Sequence, residues 1–370
     1  MDFANLKKQY LKNKNIIDPS IKSVLNNVDF ILGKEVLLLE NKLSNYTNSK
    51  YCIAVSSGTD ALLISLLAIN LKKNDEVIIP NFNYVSSIEV VRLLGAKPIL
   101  IDVNENNLLI DESLIEKNIT SKTKAIIPSS LFGLMPNYSK ISKIKKKYRN
   151  ITLIEDAAQS FGSSFKNKMS CNITDISCTS FFPTKILGGY GDSGAIFTNS
   201  KKLYTKMKYL RSHGQLKKYN HKYIGLNSRM DTLQASILIS KLKILKHEIQ
   251  LRKKIYNKYV NFINKNFINN EIQILKKNKY NILNYSYFTI IVEKRSKLIK
   301  ILSDYKIPFN IYYPKTLSQQ KAYYDEKITK KCKISVKLTK KIISLPLNAY
   351  INKKELNIIL YALKEFKNIL

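Results

Sequence analysis

The chain has 370 residues, 45% of them hydrophobic, which is material for roughly two domains and a large buried core. Lys plus Arg number 62 against 27 Asp plus Glu, a formal charge of +35. This surplus runs evenly through a chain rich in Asn and Ile, with no basic arm, helix-turn-helix, zinc-finger or RNA-recognition pattern, so nucleic acid is not an expected partner. The longest apolar stretch, Ala61 to Ile69, is far short of the roughly 20 residues of a membrane-spanning helix, and the opening Met1-Asp2-Phe3-Ala4-Asn5-Leu6-Lys7-Lys8 has no apolar leader. Four scattered cysteines (Cys52, Cys171, Cys178, Cys332) form no C-x-x-C pair and point to a reducing cytoplasm. His213, His221 and His247 have no second His or Cys at i+3 or i+4, so no metal site is expected.

Short apolar runs alternate with helical periodicity over the first two thirds, which is the pattern of an α/β fold. The expected strands are Cys52–Val55, Glu76–Ile79, Ile99–Asp102, Ala125–Pro128, Thr152–Glu155 and Ala195–Thr198. Between them Thr59–Leu71 and Ser86–Leu94 read as amphipathic helices, the first with Leu62, Leu63, Leu66 and Leu67 on one face. From Arg229 a long helix runs to about Val260, a rod expected to join two bodies. Beyond it, Asn264–Asn284, rich in Lys and Asn, reads as an exposed, mobile connection. Strand-like Tyr285–Val292 and Phe309–Tyr313 and a closing helix Lys353–Phe366 suggest a small α+β unit. The boundary falls along the long helix, giving a large domain 1–245 and a small one 246–370.

The chemistry centres on Lys185, in Ser180-Phe181-Phe182-Pro183-Thr184-Lys185, 29 residues after the Asp156 that closes an apolar strand. A carboxylate at a strand end and a lysine on a later glycine-rich loop are what pyridoxal 5′-phosphate needs, an amine for its aldehyde and an anion that keeps the pyridine nitrogen protonated. Most lysines in this chain read as solvated charges. Lys185 differs, because Phe181, Phe182 and Pro183 precede it and Gly188-Gly189-Tyr190-Gly191-Asp192 follows, so desolvation should lower its pKa. Asp156 by itself reads as a loop cap, and Gln159 as a solvated polar side chain or as a donor to the ring's phenolic oxygen. Ser56-Ser57-Gly58-Thr59-Asp60-Ala61 follows a strand and opens a helix, either as ordinary N-capping or as a phosphate cradle to which Ser180 adds a hydroxyl.

Seven segments carry a resemblance: Phe30 to Val36, Ser57 to Leu62, Glu155 to Gln159, Ser180 to Lys185, Gly191 to Gly194, Arg211 to Gly214 and Asn227 to Asp231. Over nearly its whole length the sequence resembles the DegT/DnrJ/EryC1/StrS family of sugar aminotransferases. The resemblance implies an aspartate aminotransferase-like (fold type I) α/β architecture, a large α/β/α domain with a mostly parallel mixed sheet plus a small C-terminal α+β domain. It also implies roles. Lys185 forms the Schiff base, Asp156 pairs with the pyridine nitrogen, Gln159 meets the phenolic oxygen, and Gly58, Thr59 and Ser180 take the phosphate. Tyr84 stacks on the ring, although alone it reads as a core or strand-end tyrosine. Asn227 reaches the phosphate of the neighbouring subunit, making the active unit a homodimer, and Arg229 suits an acidic sugar or diphosphate.

Met169 to Ser180 and His213 to His221 are similar to the branch acting on UDP-2-acetamido-2-deoxy-3-oxo-glucuronate, with glutamate as donor, in surface-polysaccharide or O-antigen synthesis. Tyr312-Tyr313-Pro314 stands where the family usually has His-Tyr-Pro, so Tyr312 and Tyr313 are the expected substrate contacts, one of them altered. Asn5 replaces a common aspartate, and Ser193 a common glycine. The rivals are a 4-oxo nucleotide-sugar acceptor and a regulatory or DNA-binding member. A dehydratase branch carries histidine in place of the lysine, and Lys185 argues against it.

Overall fold

The computed structural model describes residues 1–269 and 271–370. At its centre lie seven strands, β1 (Tyr51–Val55), β2 (Glu76–Pro80), β3 (Lys97–Ile101), β4 (Thr123–Ile126), β5 (Thr152–Asp156), β6 (Ile176–Ser180) and β7 (Gly194–Thr198). Their spatial order is β1-β7-β6-β5-β4-β2-β3. The pairs from β3 through β2, β4 and β5 to β6 are parallel, and β7 runs antiparallel to both its neighbours.

Side-chain alternation along the strands makes this a three-layer unit. Ile53 and Val55 of β1 pack with α3 (Gly58–Ala68), α4 (Ser86–Leu93) and α6 (Lys201–Leu210). Cys52 and Ala54, pointing the other way, pack with α2 (Lys34–Thr47) and the first half of α7 (Thr232–Asn266). Farther along that second face, Ile78, Ile126 and Leu153 meet α5 (Tyr138–Lys147). A separate core joins the second half of α7, through Ile255, Tyr259 and Ile263, to the antiparallel β8 (Ile272–Ile274), β9 (Phe288–Val292) and β10 (Ile342–Leu345). The helices α8 (Arg295–Asp304) and α10 (Lys353–Asn368) close it, while α9 (Lys333–Thr339) lies between them in sequence. One helix thus serves two cores. The N-terminal α1 (Leu6–Asn27) bridges them, with Gln9 Nε2 donating to Glu248 at 2.9 Å and Lys8 Nζ to the Tyr350 carbonyl at 3.0 Å.

The six expected strands are present with ends shifted by a few residues, and the long helix covers Thr232–Asn266. Three readings change. Helix α3 is buried nearly all round, at Ala61, Leu62, Ile64, Ser65, Leu66 and Ala68, because it is wedged between the sheet, α4 and α6. Phe309–Tyr313 is not a strand: Pro308 and Pro314 bracket it without amide donors, and only Asn310 bridges Ser344. The Lys/Asn-rich connection is largely tied down, since Phe267, Ile272, Leu275 and Leu283 are buried and Asn281–Ile282 pairs with Ser164–Phe165. Residue 270 of that connection lies outside the described residues. Two of the three departures noted in the sequence are accommodated locally. Asn5 precedes α1 at φ 53°, a left-handed conformation that Asn tolerates, and buried Ser193 donates to the Phe181 carbonyl at 3.2 Å.

A buried ion pair and a buried lysine bear on stability. Arg211 Nη1 lies 2.6 Å from Glu40 Oε1 and 3.0 Å from the Ala54 carbonyl, while the same Glu40 oxygen accepts the Ala54 amide at 2.9 Å, fastening β1 to α2. Glu40→Ala would leave the guanidinium buried and unpaired, and should cost about 3–5 kcal/mol in urea unfolding. Lys241 on α7 is buried with its ammonium 5.0 Å from the centre of the Tyr190 ring, and burial lowers its pKa to about 8 despite the pull of Glu248. Its unfolded value is about 10.4, so the charged form penalises the folded state fully below pH 8, and the penalty fades as pH rises towards 10.4. Lys241→Met should therefore gain about 1–3 kcal/mol at pH 7, and the gain should vanish near pH 10.5 in paired urea titrations.

Candidate active site

The carboxyl ends of β2, β4, β5 and β6 meet the first turn of α3, the edge at which open α/β sheets bind ligands. A cavity of ≈ 290 Å³ lies there. Of the residues singled out in the sequence, Gly58, Thr59, Tyr84, Asp156, Gln159, Ser180, Lys185, Tyr312 and Tyr313 line it, and Asn227 and Arg229 do not. A larger cavity of ≈ 590 Å³, between β8 and the end of α7, is lined by Lys276, Lys333 and Lys337 and contains none of them.

Lys185 and Asp156 share the pocket, and each is perturbed by burial. Burial lowers the Lys185 pKa, and the charge of Asp156 opposes it. Burial raises that of Asp156 against the Ala158 amide, the Lys185 charge and the hydroxyl of Ser129. The carboxylate accepts from Ala158 N at 3.2 Å and Ser129 Oγ at 3.1 Å, and Ser129 accepts in turn from Asn83 Nδ2 at 2.6 Å. Lys185 sits in a turn closed by its amide to the Phe182 carbonyl at 2.8 Å, above fully buried Phe181. Gly188 makes the return possible, because a Cβ there would lie 2.3 Å from the Pro183 oxygen.

Ser57 caps α3, its Oγ accepting from Asp60 N at 3.0 Å, so the capping reading holds. It does not exclude the cradle. The amides of Gly58 and Thr59, in the first turn, have no intrahelical acceptor, and both residues line the pocket with Ser180. The fit is close: a Cβ on Gly58 would lie 2.8 Å from that of Ser180, and one on Gly194 would lie 2.6 Å from the Ser57 carbonyl.

Gln159 is buried rather than solvated. Its Oε1 accepts from Phe132 N at 2.8 Å and its Nε2 donates to Tyr313 Oη at 3.0 Å, which leaves one amide hydrogen over. Asn284 Nδ2 and Ser286 Oγ both hold its carbonyl, at 3.0 and 2.9 Å. The Tyr84 ring is half exposed at the pocket, tilted against Tyr313 at 6.0 Å. Tyr312 packs edge-on to Tyr287 at 5.1 Å. Burial, then proximity to Tyr287, raises the pKa of both Tyr312 and Tyr313, so both phenols remain donors at neutral pH.

Asn227 is exposed and Arg229 half-buried on a segment alongside the end of β1, where Ser56 N donates to the Ser228 carbonyl at 3.1 Å and Arg229 Nε is buried without a hydrogen-bond acceptor. Sequence reasoning passed over Asn83, Ser129 and Ser130, which line or support the pocket at the ends of β2 and β4. The rule that found Asp156, that the residues just after parallel strands face the ligand, would have found them too.

The model of the DegT/DnrJ/EryC1/StrS aminotransferase family matches residues 12–364. The UDP-2-acetamido-2-deoxy-3-oxo-D-glucuronate aminotransferase of Pseudomonas aeruginosa is 42% identical over 363 residues, 98% of this chain and 99% of that protein. A DegT/DnrJ/EryC1/StrS aminotransferase from Brucella abortus superposes with a TM-score of 0.91 at 32% identity, covering 99% of each chain. NtdA of Bacillus subtilis, solved with bound cofactor PMP, superposes at 0.92 with 28% identity, covering 100% of this chain and 85% of that one.

The cradle makes a prediction. Gly58→Ala should weaken binding of a phosphate-bearing ligand at this pocket by at least roughly tenfold in calorimetric titration, because the added methyl must displace Ser180 or the helix start.

Proposed function

The chain belongs to the DegT/DnrJ/EryC1/StrS aminotransferase family, and from that premise we propose that it transfers the amino group of glutamate to a keto group of a UDP-linked sugar, with pyridoxal 5′-phosphate as cofactor. The substrate we assign is UDP-2-acetamido-2-deoxy-3-oxo-glucuronate, on which the 42% identical relative acts by its name. The observation that carries this reading is that Lys185, Asp156 and the Gly58–Thr59–Ser180 cradle line one pocket.

These residues fit the cofactor. The uncommitted first-turn amides and the Thr59 and Ser180 hydroxyls suit a phosphate dianion, and the buried Asp156 suits the ring nitrogen. Bound there, pyridoxal phosphate supplies the electron sink that makes proton loss beside the amino nitrogen feasible. Lys185 would hold the group through its aldehyde carbon, and its Nζ, as a free amine, would take and return the proton in each half of the ping-pong cycle. Its desolvation serves this by holding a fraction of the amine neutral. Asp156, whose burial disfavours an unpaired carboxylate, keeps the pyridine nitrogen protonated. Gln159, whose other amide hydrogen goes to Tyr313, would offer the remaining one to the phenolic oxygen, and Tyr84, at the pocket, would cover one face of the ring.

The acceptor enters past Tyr312 and Tyr313, and Arg229, which lies outside the pocket of its own chain on the same segment as Asn227, is assigned to the carboxylate or diphosphate of an acceptor in the neighbouring subunit. We propose a homodimer in which Asn227 reaches the phosphate in the neighbouring subunit. Support comes from its exposure outside its own pocket and from the exposed apolar run Val28, Phe30, Ile31, Leu32, Leu37 and Leu38. We place the division between a large unit, 1–245, and a small one, 246–370, along α7, whose two halves enter different cores. The enzyme belongs in the cytoplasm, in keeping with four buried free cysteines, and supplies 3-amino uronates for surface polysaccharide such as O-antigen.

Purified protein should absorb near the visible edge, and glutamate should bleach that band. Mass spectrometry of the product from UDP-linked 3-oxo-glucuronate and glutamate should show the amino sugar, with 4-oxo sugars poorly used, and Lys185→Ala should lose turnover at least about a thousandfold. Full turnover by that variant overturns the mechanism. A preference for 4-oxo sugars overturns the substrate.

A further inference from the structure

After β2 the chain crosses the carboxyl edge of the sheet as Asn81-Phe82-Asn83-Tyr84. Asn81 is fully buried and uses both ends of its side chain and its backbone. Its amide donates to the Ile101 carbonyl at 2.8 Å, and its carbonyl accepts from Leu317 N at 2.9 Å. Its Oδ1 accepts from Ser318 N at 3.0 Å, and its Nδ2 donates to Ser335 Oγ at 3.2 Å. Three of the four bonds therefore cross to the C-terminal third. Leu317 and Ser318 closely follow Tyr312 and Tyr313, and Thr316 and Gln319 close that segment on itself as a capping box. Asp102, at the end of the adjacent β3, accepts from the amides of Ile334 and Ser335 at 2.9 and 2.8 Å and so fixes Asn81's other partner. Two residues on, Asn83 serves a different group, donating to the Ser129 hydroxyl that holds Asp156.

We propose that Asn81 is a positioning residue for the acceptor sugar: it suspends the segment bearing Tyr312 and Tyr313 from the sheet, at the pocket rim, while Asn83 aligns the carboxylate beneath. The inference rests on the aminotransferase reading for its substrate and on geometry alone for the clamp. The two asparagines divide the labour of one short crossing, so their variants should fail differently. A residue whose role was only to hold the fold together would raise no KM selectively.

The test compares Asn81→Ala, Ser335→Ala and Asn83→Ala in the full-length protein. In Asn81→Ala, KM for the nucleotide sugar should rise roughly tenfold or more, with KM for glutamate changed less than about threefold and the near-visible absorbance retained. Hydrogen exchange in peptides covering 314–320 should quicken, with or without cofactor. Asn83→Ala should instead shift the pH midpoint of the near-visible band and leave exchange at 314–320 unchanged. Ser335→Ala removes the acceptor of Nδ2, together with the Ser335 Oγ bond to the Cys332 carbonyl, and leaves the other bonds of Asn81 in place; it is the variant to use if Asn81→Ala does not fold, and should raise the sugar KM about threefold. A sugar KM within twofold of wild type in both Asn81→Ala and Ser335→Ala, or in Ser335→Ala where Asn81→Ala does not fold, would overturn the proposal, as would unchanged exchange at 314–320 in a folded Asn81→Ala. Wild-type protein that has no near-visible band and converts no nucleotide sugar would overturn the aminotransferase reading, whereas the exchange result would still decide the clamp.

Discussion

The burial of Asp156 and Lys185 in a common pocket is the constraint around which the site is organised. A carboxylate and an ammonium taken out of water each pay desolvation, so each is pushed towards neutrality, and each relieves the other only in part. A lone lysine so placed would be pushed further towards the neutral amine, and a lone aspartate further towards the neutral acid. Set against each other they stay responsive, and a group bearing both a carbonyl and a basic nitrogen answers both at once. The α/β scaffold supplies the opposition cheaply, since Asp156 ends β5, and β6 runs beside it and leads directly into the turn that carries Lys185.

Holding those charges requires a polar interior that composition does not reveal. Glu155, one residue before Asp156, points the other way and is buried completely, accepting from Ser130 Oγ, Ser170 Oγ, Cys171 N and Ser177 Oγ at 2.8 to 3.1 Å. Burial raises its pKa and these four donors pull it back down. The same carboxylate and its neighbours account for the polar residues of β6, Ile-Ser-Cys-Thr-Ser, a strand that carries little apolar surface although it lies in mid-sheet. Ser177 is there to donate to Glu155, Thr179 donates to the Ala157 carbonyl at 3.0 Å, and Cys178 meets Ser65 at 3.2 Å. Satisfied polar groups replace branched hydrocarbons, and the strand is invisible to a hydrophobicity pattern.

That is the measure of what the chain discloses on its own. The strands with Val, Ile and Leu were legible because parallel strands buried on both faces read as apolar runs, and the long helix because its period persists across ten turns. β6 was not, for the reason just given. Phe309–Tyr313 misled because β-branched and aromatic residues suit a strand surface, and the flanking prolines decided otherwise. The Lys/Asn-rich connection misled in the opposite sense. Its few apolar residues, spaced among solvated lysines, dock individually, and Asn281 and Asn284 bond buried carbonyls. At the site, side chains close to one another in sequence on a strand exit or loop were legible. Contacts such as Gln159 with Tyr313, 154 residues apart, were not, because no local pattern encodes them.

The net charge of +35 and the chemistry of the pocket act at different ranges. Surface lysines separated by more than about 8 Å are largely screened at physiological ionic strength, so their collective field draws in anions of every kind with little preference. Discrimination must come from groups at contact distance whose ionisation does not vary. Tyr312 and Tyr313 meet that condition, since burial keeps both phenols protonated and therefore able to donate. A histidine at position 312 would titrate near neutral pH and offer an acceptor or a cation by turns. The tyrosine offers a neutral donor at every physiological pH, so the hydrogen-bonding character of the pocket rim does not change with pH.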